Sequence, residues 1–372
     1  MENKIKVLSV LPVLGQPRHS KRISMLKNVG FNLAAVAFER EYLKGRLPDC
    51  EVTSLGKISH GKYLERIFKF LKALPILRKQ IKICDVVYAS NPDMAYISII
   101  AGFGLNRPVV IEVGDLRRIQ VARGTTGWFV RKLDLFFLKK CSLLVSTSIG
   151  FVKGYYQNWL KSSIKYLILE NKLEKAFDEE LLIKKEDNGK ITIGYFGLLR
   201  CDWSWSVLKN LAITHENKFD ILIAGYPVNP ITLPEEAKEI SNIKFLGQYK
   251  SPNDLVDLYG KVDIVWACYP FPSEEDLNWK WARTNRFYES ICYKKPLIVL
   301  EKSGDEQSVL DYNIGVSVPK DKVKKVVEML NIVERNQIAE WVNNINRLPE
   351  SVYKYTTEEN ELKKAILEII EK

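Results

Sequence analysis

Histidine is scarce in this sequence. The three present, His19, His60 and His215, stand far apart in 372 residues, which leaves little material for a zinc site or a histidine-based triad. Six cysteines, Cys50, Cys84, Cys141, Cys201, Cys268 and Cys292, show no paired metal-binding spacing. Four of them sit beside or within strand-like runs, and all read as reduced structural thiols of a cytoplasmic protein. No uninterrupted apolar run approaches the roughly 20 residues that cross a bilayer, so an integral membrane protein is not expected. Val7 to Leu14 is apolar but holds Pro12 and runs into Pro17, Arg18, His19, Lys21 and Arg22 with no small-residue cleavage site. It reads as a buried first strand rather than a signal segment. A Walker-type phosphate loop is missing, as is a complete G-x-G-x-x-G after a strand, which argues against kinases and NAD enzymes.

What is present is globular: 46% hydrophobic, 11% aromatic and 27% charged residues, with no low-complexity tract. At about 100 to 200 residues per domain, the length predicts two domains, each with its own core. Charge divides unevenly between them. Residues 1–170 carry 28 Lys and Arg against 12 Asp and Glu, a balance of +16, whereas residues 171–372 carry 28 against 33, a balance of −5. A basic half suits an anionic partner, either nucleic acid or the phospholipid of the inner leaflet.

Short apolar runs alternate with amphipathic stretches, the pattern of strand-helix-strand units with parallel sheets. The first series predicts strands at Ile5–Leu11, Asn32–Ala37, Asp85–Ala89, Pro108–Val113 and Ser142–Ser146, with helices at Arg18–Val29, Met94–Gly102 and Gly127–Lys140. The second predicts strands at Ile191–Gly197, Phe219–Gly225, Ile243–Leu246, Val262–Ala267, Pro296–Leu300 and Gly315–Val318, with helices at Ser251–Tyr259 and Asn285–Tyr293. The fold class is therefore α/β, two Rossmann-like domains facing across a cleft, with ligand sites at the carboxyl ends of both sheets. The domains run 1–170 and 191–350, joined by a charged linker at 171–190, and a C-terminal helix within 351–372 is free to pack back on the first domain. From His60 to Lys82, Tyr63, Ile67, Phe70, Leu71 and Leu74 recur at helical spacing beside Lys62, Arg66 and Lys69, up to a break or kink at Pro75. This segment reads either as a helix lying on anionic lipid or as a core-packed helix with a solvated basic face.

The sharpest chemical signal starts at Arg283, where a polar loop becomes a helix start, presents one acid and ends before a buried strand. Asn285 is a good N-cap. Backbone N–H groups at that helix start, flanked by Arg283 and Arg286, suit a diphosphate. Glu289, one turn further in, is placed to accept hydrogen bonds from a ribose diol; the plainer reading is a surface Glu on a capped amphipathic helix. Asp115 follows the Pro108–Val113 strand, where a carboxylate can take the proton of an acceptor hydroxyl. Its plainer reading is a helix cap or a partner of Arg117 or Arg118. Trp203, Trp205, Trp279 and Trp281 flank the loops after Gly197 and before Arg283 and suit either stacking on a ring-shaped ligand or ordinary packing.

The stretch NRFYESICYKKPLIV from Asn285 resembles the N-K-x-x-E-x-x-A-x-G-K-P-V-I segment of GT-B nucleotide-sugar glycosyltransferases, especially glycosyltransferase family 4. ITIGYFG from Ile191, FDILIAG from Phe219 and IKFLGQY from Ile243 resemble that family's donor domain. DVVYASNPD from Asp85, PVVIEVGDL from Pro108 and LENK from Leu169 resemble its acceptor domain and the lead into the linker, so the likeness covers about residues 4 to 320.

The resemblance implies that Glu289 is the ribose-binding acid and that Arg200, past the glycine turn at Gly197, faces the donor pyrophosphate. It further implies that Gly15 lets backbone approach the phosphates and that Tyr249 ends the strand lying near the base. The family's second acid, eight residues before the first, is replaced by Trp281, which leaves Glu274 or Glu275 to supply it. Its usual Lys beyond the phosphate-binding Arg is replaced by Asp202 and Trp203, with Lys209 the next cation. Gly114 stands where many relatives have a His before the acid, so no His-based proton path is expected from that position. With no D-x-D in the chain, a metal-free reaction is expected, arginines and a helix N-terminus meeting the leaving diphosphate.

The implied activity is transfer of a hexose-type sugar, with retention, from a nucleoside diphosphate, UDP or GDP, to a hydroxyl of a saccharide or lipid-linked saccharide. Bacterial-type surface polysaccharide synthesis, peripheral at the cytoplasmic face of an anionic membrane, is the expected setting. A sugar-nucleotide epimerase of the same fold and a non-catalytic nucleic-acid-binding protein are the alternatives. Nucleic acid is not expected as a partner, because no basic module interleaved with aromatics on a strand face or recognition helix is found.

Overall fold

The computed structural model describes residues 4–39, 47–58, 63–175, 187–269 and 277–371. The chain forms two compact units: Met1–Asn171 with Thr356–Lys372, and Lys172–Tyr355. Chain entry and exit of unit 2 lie together, Leu173 donating to the Tyr353 carbonyl at 2.8 Å and accepting from Tyr355 N at 3.0 Å.

Unit 1 holds a seven-stranded sheet of β1 (Lys6–Leu11), β2 (Asn32–Glu39), β3 (Glu51–Lys57), β4 (Val86–Ala89), β5 (Val109–Val113), β6 (Leu143–Ser146) and β7 (Tyr166–Ile168). All pairings are parallel, in the order β3-β2-β1-β4-β5-β6-β7. Its central strands are mostly apolar because helices cover both faces, and every residue of β4, β5 and β6 is buried, Glu112 among them. Helix α1 (Pro17–Asn28) follows β1, α2 (Tyr63–Lys82) follows β3, α3 (Pro92–Ala101) follows β4, and α4 (Arg118–Val121) and α5 (Thr125–Leu138) follow β5. Right-handed crossovers place α2, α3 and α5 on one face and α1 on the other. Contacts agree, α3 touching both α2 and α5 while α1 packs with the C-terminal helix Glu358–Ile370.

An ion pair lies deep in this core. Glu112 of β5 is 1% exposed, receives both Nε and Nη2 of Arg22 at 3.1 Å, and accepts from Tyr88 Oη at 2.6 Å. Burial would raise its pKa, yet Arg22 and Arg18 hold it down to about 2. The pair fixes α1 to the sheet, and removing one partner would strand the other, at a cost of about 3–5 kcal/mol.

Unit 2 holds a six-stranded parallel sheet of β8 (Ile191–Leu199), β9 (Phe219–Pro227), β10 (Ile243–Phe245), β11 (Ile264–Ala267), β12 (Leu297–Leu300) and β13 (Gly315–Val318). The order is β10-β9-β8-β11-β12-β13. In both units the second strand lies to one side of the first and later strands to the other. The topological switch falls at β1/β4 in unit 1 and at β8/β11 in unit 2, where open α/β sheets receive their ligands.

Three local expectations change. Helix α2 continues through Pro75 to Lys82, because Pro75 lies on the exposed side, where the carbonyl it frees can be hydrated. The helix expected from Ser251 begins at Leu255, the preceding turn being tied by Lys250 N to Asp254 Oδ2 at 2.7 Å. Edge strand β3, with Leu55 its one buried residue, has too few apolar residues to signal itself. The six cysteines are free, and burial raises the thiols of Cys50 and Cys84 to about 11 and of Cys141 to about 12.

Candidate functional site

In unit 2 the chemistry gathers at the carboxyl ends of β8 and β11. Gly197 lies within β8, paired with Gly225 of β9, rather than in a turn after the strand. Its φ is +107°, and a Cβ there would come within 1.6 Å of Arg286 Nη2, so the bare backbone leaves room for the guanidinium. Arg286 Nε donates to the Phe196 carbonyl at 2.9 Å, and Tyr269 Oη, just past β11, donates to the same oxygen at 2.9 Å. Burial acts against the charge of Arg286, but Tyr269, Glu289 and Tyr249 hold its pKa well above the ordinary arginine value.

Arg286 belongs to the Asn285–Cys292 helix. Its N-cap is Thr284, not Asn285: Thr284 Oγ1 accepts from Phe287 N at 3.4 Å and donates to buried Asp305 at 2.7 Å. Asp305 also accepts from Thr284 N at 3.1 Å, so its carboxylate fixes the cap from behind, and Asn285 becomes the first helical residue, exposed. Arg283 is drawn into the same knot, 2.5 Å from Ser308 Oγ and 4.0 Å from Asp305, its guanidinium 4.3 Å from the Phe287 ring centroid. Both arginines expected to flank a diphosphate thus already hold protein groups. Arg200, just past β8, is exposed.

Glu289 is 7% exposed. It accepts from Tyr259 Oη at 2.8 Å and lies 3.9 Å from Arg286 Nη1. Burial, then the Glu289 carboxylate, push the Tyr259 hydroxyl well above its ordinary pKa, so it stays a donor. Half-buried Tyr249, past β10, has its pKa raised by burial, with Arg286 opposing, and so shares this field. Sequence reasoning missed Tyr259 and Tyr269, because each meets the site from another element and at no fixed spacing.

The tryptophans divide. Trp205 is buried with Nε1 on Glu236 at 2.9 Å, and Trp203 donates to the Asp321 carbonyl at 2.9 Å and lies 5.9 Å from the Trp266 ring. These two are packing residues. Trp279 packs half-buried on the core and Trp281 is half-buried. Lys209 is paired with Glu236 at 2.8 Å. Glu274 and Glu275 lie outside the described residues.

Unit 1 carries a second candidate, a cavity of about 250 Å³ at its own switch point, lined from the ends of β1, β4 and β5 by Gln16, Asn91, Gly114 and Asp115 among others. Gly15, at the bend after β1, has φ +90°. Asn91 Oδ1 accepts from Met94 N at 2.9 Å and so caps α3. Asp115 is 74% exposed, 3.8 Å from Arg18 Nη1. Arg117 instead pairs with Asp93 at 2.6 Å. Gly114 has a role of its own: a Cβ there would lie 1.6 Å from Arg18 Nη1. His19 lines the same cavity from α1, 2% exposed, with neither ring nitrogen hydrogen-bonded. Burial, then Arg18, lowers its pKa to about 4, so the ring is neutral at pH 7. No neighbouring residue type marked it in the sequence.

No protein-family model matches the chain. A curated relative, the succinoglycan biosynthesis protein ExoL of Rhizobium meliloti, is 24% identical over 359 residues, 92% of this chain and 88% of that protein. Among solved structures, sucrose-phosphate synthase from Thermosynechococcus elongatus superposes with a TM-score of 0.71 at 10% identity, covering 98% of this chain and 99% of that one. Anabaena HepE in complex with UDP-glucose gives 0.67 at 14% identity, covering 98% and 100%. Likeness along the full length, with two parallel sheets in doubly wound order, gives this chain the GT-B fold.

Proposed function

We propose that the protein is a glycosyltransferase of surface polysaccharide synthesis, moving a hexose-type sugar from a nucleoside diphosphate, UDP or GDP, to a hydroxyl of a saccharide or lipid-linked saccharide, with retention. The observation that carries the reading is Glu289, a carboxylate held at 2.8 Å by Tyr259 at the switch point of unit 2. Such a group, buried and already oriented, suits a ribose diol. Its support comes from the likeness to HepE, whose structure holds UDP-glucose, and to ExoL, named for succinoglycan biosynthesis.

In this reading the N-terminus of the Asn285–Cys292 helix, Arg286 and Arg200 meet the diphosphate charge as it leaves, without a metal. Gly197 and Gly15 allow close backbone approach, Tyr249 stands by the base, and Arg283 holds the helix cap. Asp115 in unit 1 takes the acceptor proton. The basic unit 1 rests peripherally on the anionic inner face of a membrane; among the described residues no helix is long and apolar enough to cross one.

Thermal stabilisation by UDP-, GDP- and ADP-sugars is the direct test. A ligand at 100 times its Kd adds about 2.7 kcal/mol. Glu289→Gln keeps an acceptor for Tyr259 and should lose most of that gain together with turnover. A variant that keeps both ends the assignment, and a donor isomerised without acceptor replaces transfer by epimerisation.

A further inference from the structure

We propose that the outer sides of α2, α3 and α5 form one face on which the protein docks to an anionic phospholipid bilayer, with the aromatic residues of α5 inserted at headgroup depth. The proposal rests on the membrane placement above and says which surface makes the contact. Helix α5 buries Gly127, Asp134, Phe137 and Leu138 against the unit. Its opposite side exposes Trp128 by 57%, Phe129 by 62% and Phe136 by 56%, with Leu133 at 39%. Interleaved there are exposed Lys132, Lys139 and Lys140. The Lys132 ammonium lies 5.7 Å from the Trp128 ring and that of Lys140 5.3 Å from the Phe136 ring. An ammonium held over an aromatic face keeps cation and apolar ring in one patch, and long lysine stems let the charge reach a headgroup while the ring stays apolar. The one carboxylate of this helix, Asp134, faces inward and accepts from Tyr96, Gln120 and Tyr155.

The neighbouring helices extend the same chemistry. From Phe68 to Ile83 the chain carries five basic residues and no acidic one. Phe68, Leu71 and Ile76 of α2 are exposed beside exposed Lys72 and Lys79. Past the end of α3, Phe103 is 82% exposed, with Ile100 at 50%. Scattered exposed apolar residues are ordinary, but α5 and the described part of α2 set exposed aromatics beside lysines with no exposed carboxylate among them, and Phe103 and Ile100 continue the apolar surface between them. Charge chooses the occupant. A second copy meeting this face would set lysine against lysine, whereas an anionic headgroup layer complements it.

The test is co-flotation of the full chain with vesicles of phosphatidylglycerol in phosphatidylcholine, or of phosphatidylcholine alone, at low salt. The wild type should float with the anionic vesicles alone. Phe129→Ser with Phe136→Ser should weaken binding roughly ten-fold or more. Lys132→Glu with Lys139→Glu and Lys140→Glu should weaken it over a hundred-fold, at about five-fold per lysine lost. Thermal stabilisation by a nucleotide sugar, read on the same samples, should be unchanged in both, which certifies the fold and keeps this test apart from that of the transferase reading. Vesicle binding that survives both variants overturns the face, as does a dimer in sedimentation that the Phe129→Ser, Phe136→Ser variant dissociates. A wild type that ignores anionic vesicles overturns the face and the membrane placement together, leaving donor binding untouched.

Discussion

The two units share one topology and place polar groups at the same point of it, yet treat those groups in opposite ways. At the β8/β11 switch, charges are satisfied within the protein. Glu289 is held by Tyr259 and Arg286, Arg286 by the Phe196 carbonyl, and Arg283 by Ser308 and Asp305. At the β1/β4 switch, Asp115 is open to solvent with a loose 3.8 Å partner, and His19 is buried with no hydrogen bond. A site whose groups already hold one another loses little freedom when it takes a ligand, which suits a donor bound in one pose. One whose carboxylate is exposed to solvent suits proton exchange with an incoming hydroxyl.

The contrast breaks most visibly at Asp115. If that carboxylate is the acceptor's base, Asp115→Asn should lower turnover roughly 10²–10⁴-fold. Melting temperature should hardly move, since an exposed pair at this distance contributes at most about 1 kcal/mol. Steady-state transfer assays beside a thermal melt decide it; equal activity in the variant removes Asp115 from the mechanism. Unit 2 predicts the opposite coupling. Gly197→Ala drives a methyl into the Arg286 guanidinium and leaves alanine at φ +107°, so fold and donor site should fail together. Strain and overpacking together should cost roughly 2–5 kcal/mol. Denaturant midpoints and nucleotide-sugar stabilisation measured on one preparation check this. A variant that loses stability yet keeps donor affinity would show that the Arg286–Gly197 contact serves packing alone.

Legibility in the sequence followed contact order. Strands and helices of both sheets could be read because apolar runs and helical periods are local, and the Asn285 segment because its chemistry lies within one contiguous stretch. The capping error is one residue wide: Asn285 and Thr284 are both good caps, and Asp305, 21 residues on, decides between them by binding Thr284. Tyr259 is 30 residues from Glu289, and Gly197 is 89 residues from Arg286. Such pairs exist only once β8, β11 and the helix are side by side. Helix α5 was legible as a helix at Gly127–Lys140, but which of its sides faces out was not: only the fold shows Phe129, Leu133 and Phe136 exposed.

A smaller effect sharpens the comparison from the unit 1 side. His19 has a folded pKa near 4 against an ordinary 6.5, so the unfolded chain binds its proton first. The stability of the neutral buried ring is therefore complete above pH 6.5 and is lost as pH falls toward 4. At 1.36 kcal/mol per unit this amounts to at most about 3 kcal/mol. Glu112, held down to about 2, keeps its charge in the fold while the unfolded chain protonates it near 4.5, a contribution common to both proteins that cancels between them. Unfolding of the wild type between pH 7 and 4.5, followed beside His19→Gln, should show a steeper acid decline in the wild type. Because the imidazole sits in unit 1, the excess should appear in the transition reported by probes there and leave donor-induced stabilisation at pH 7 unchanged. Parallel pH profiles for the two proteins would mean that the ring is protonated or hydrated in the folded state, and the cavity around Asp115 would then be more polar than its present walls imply.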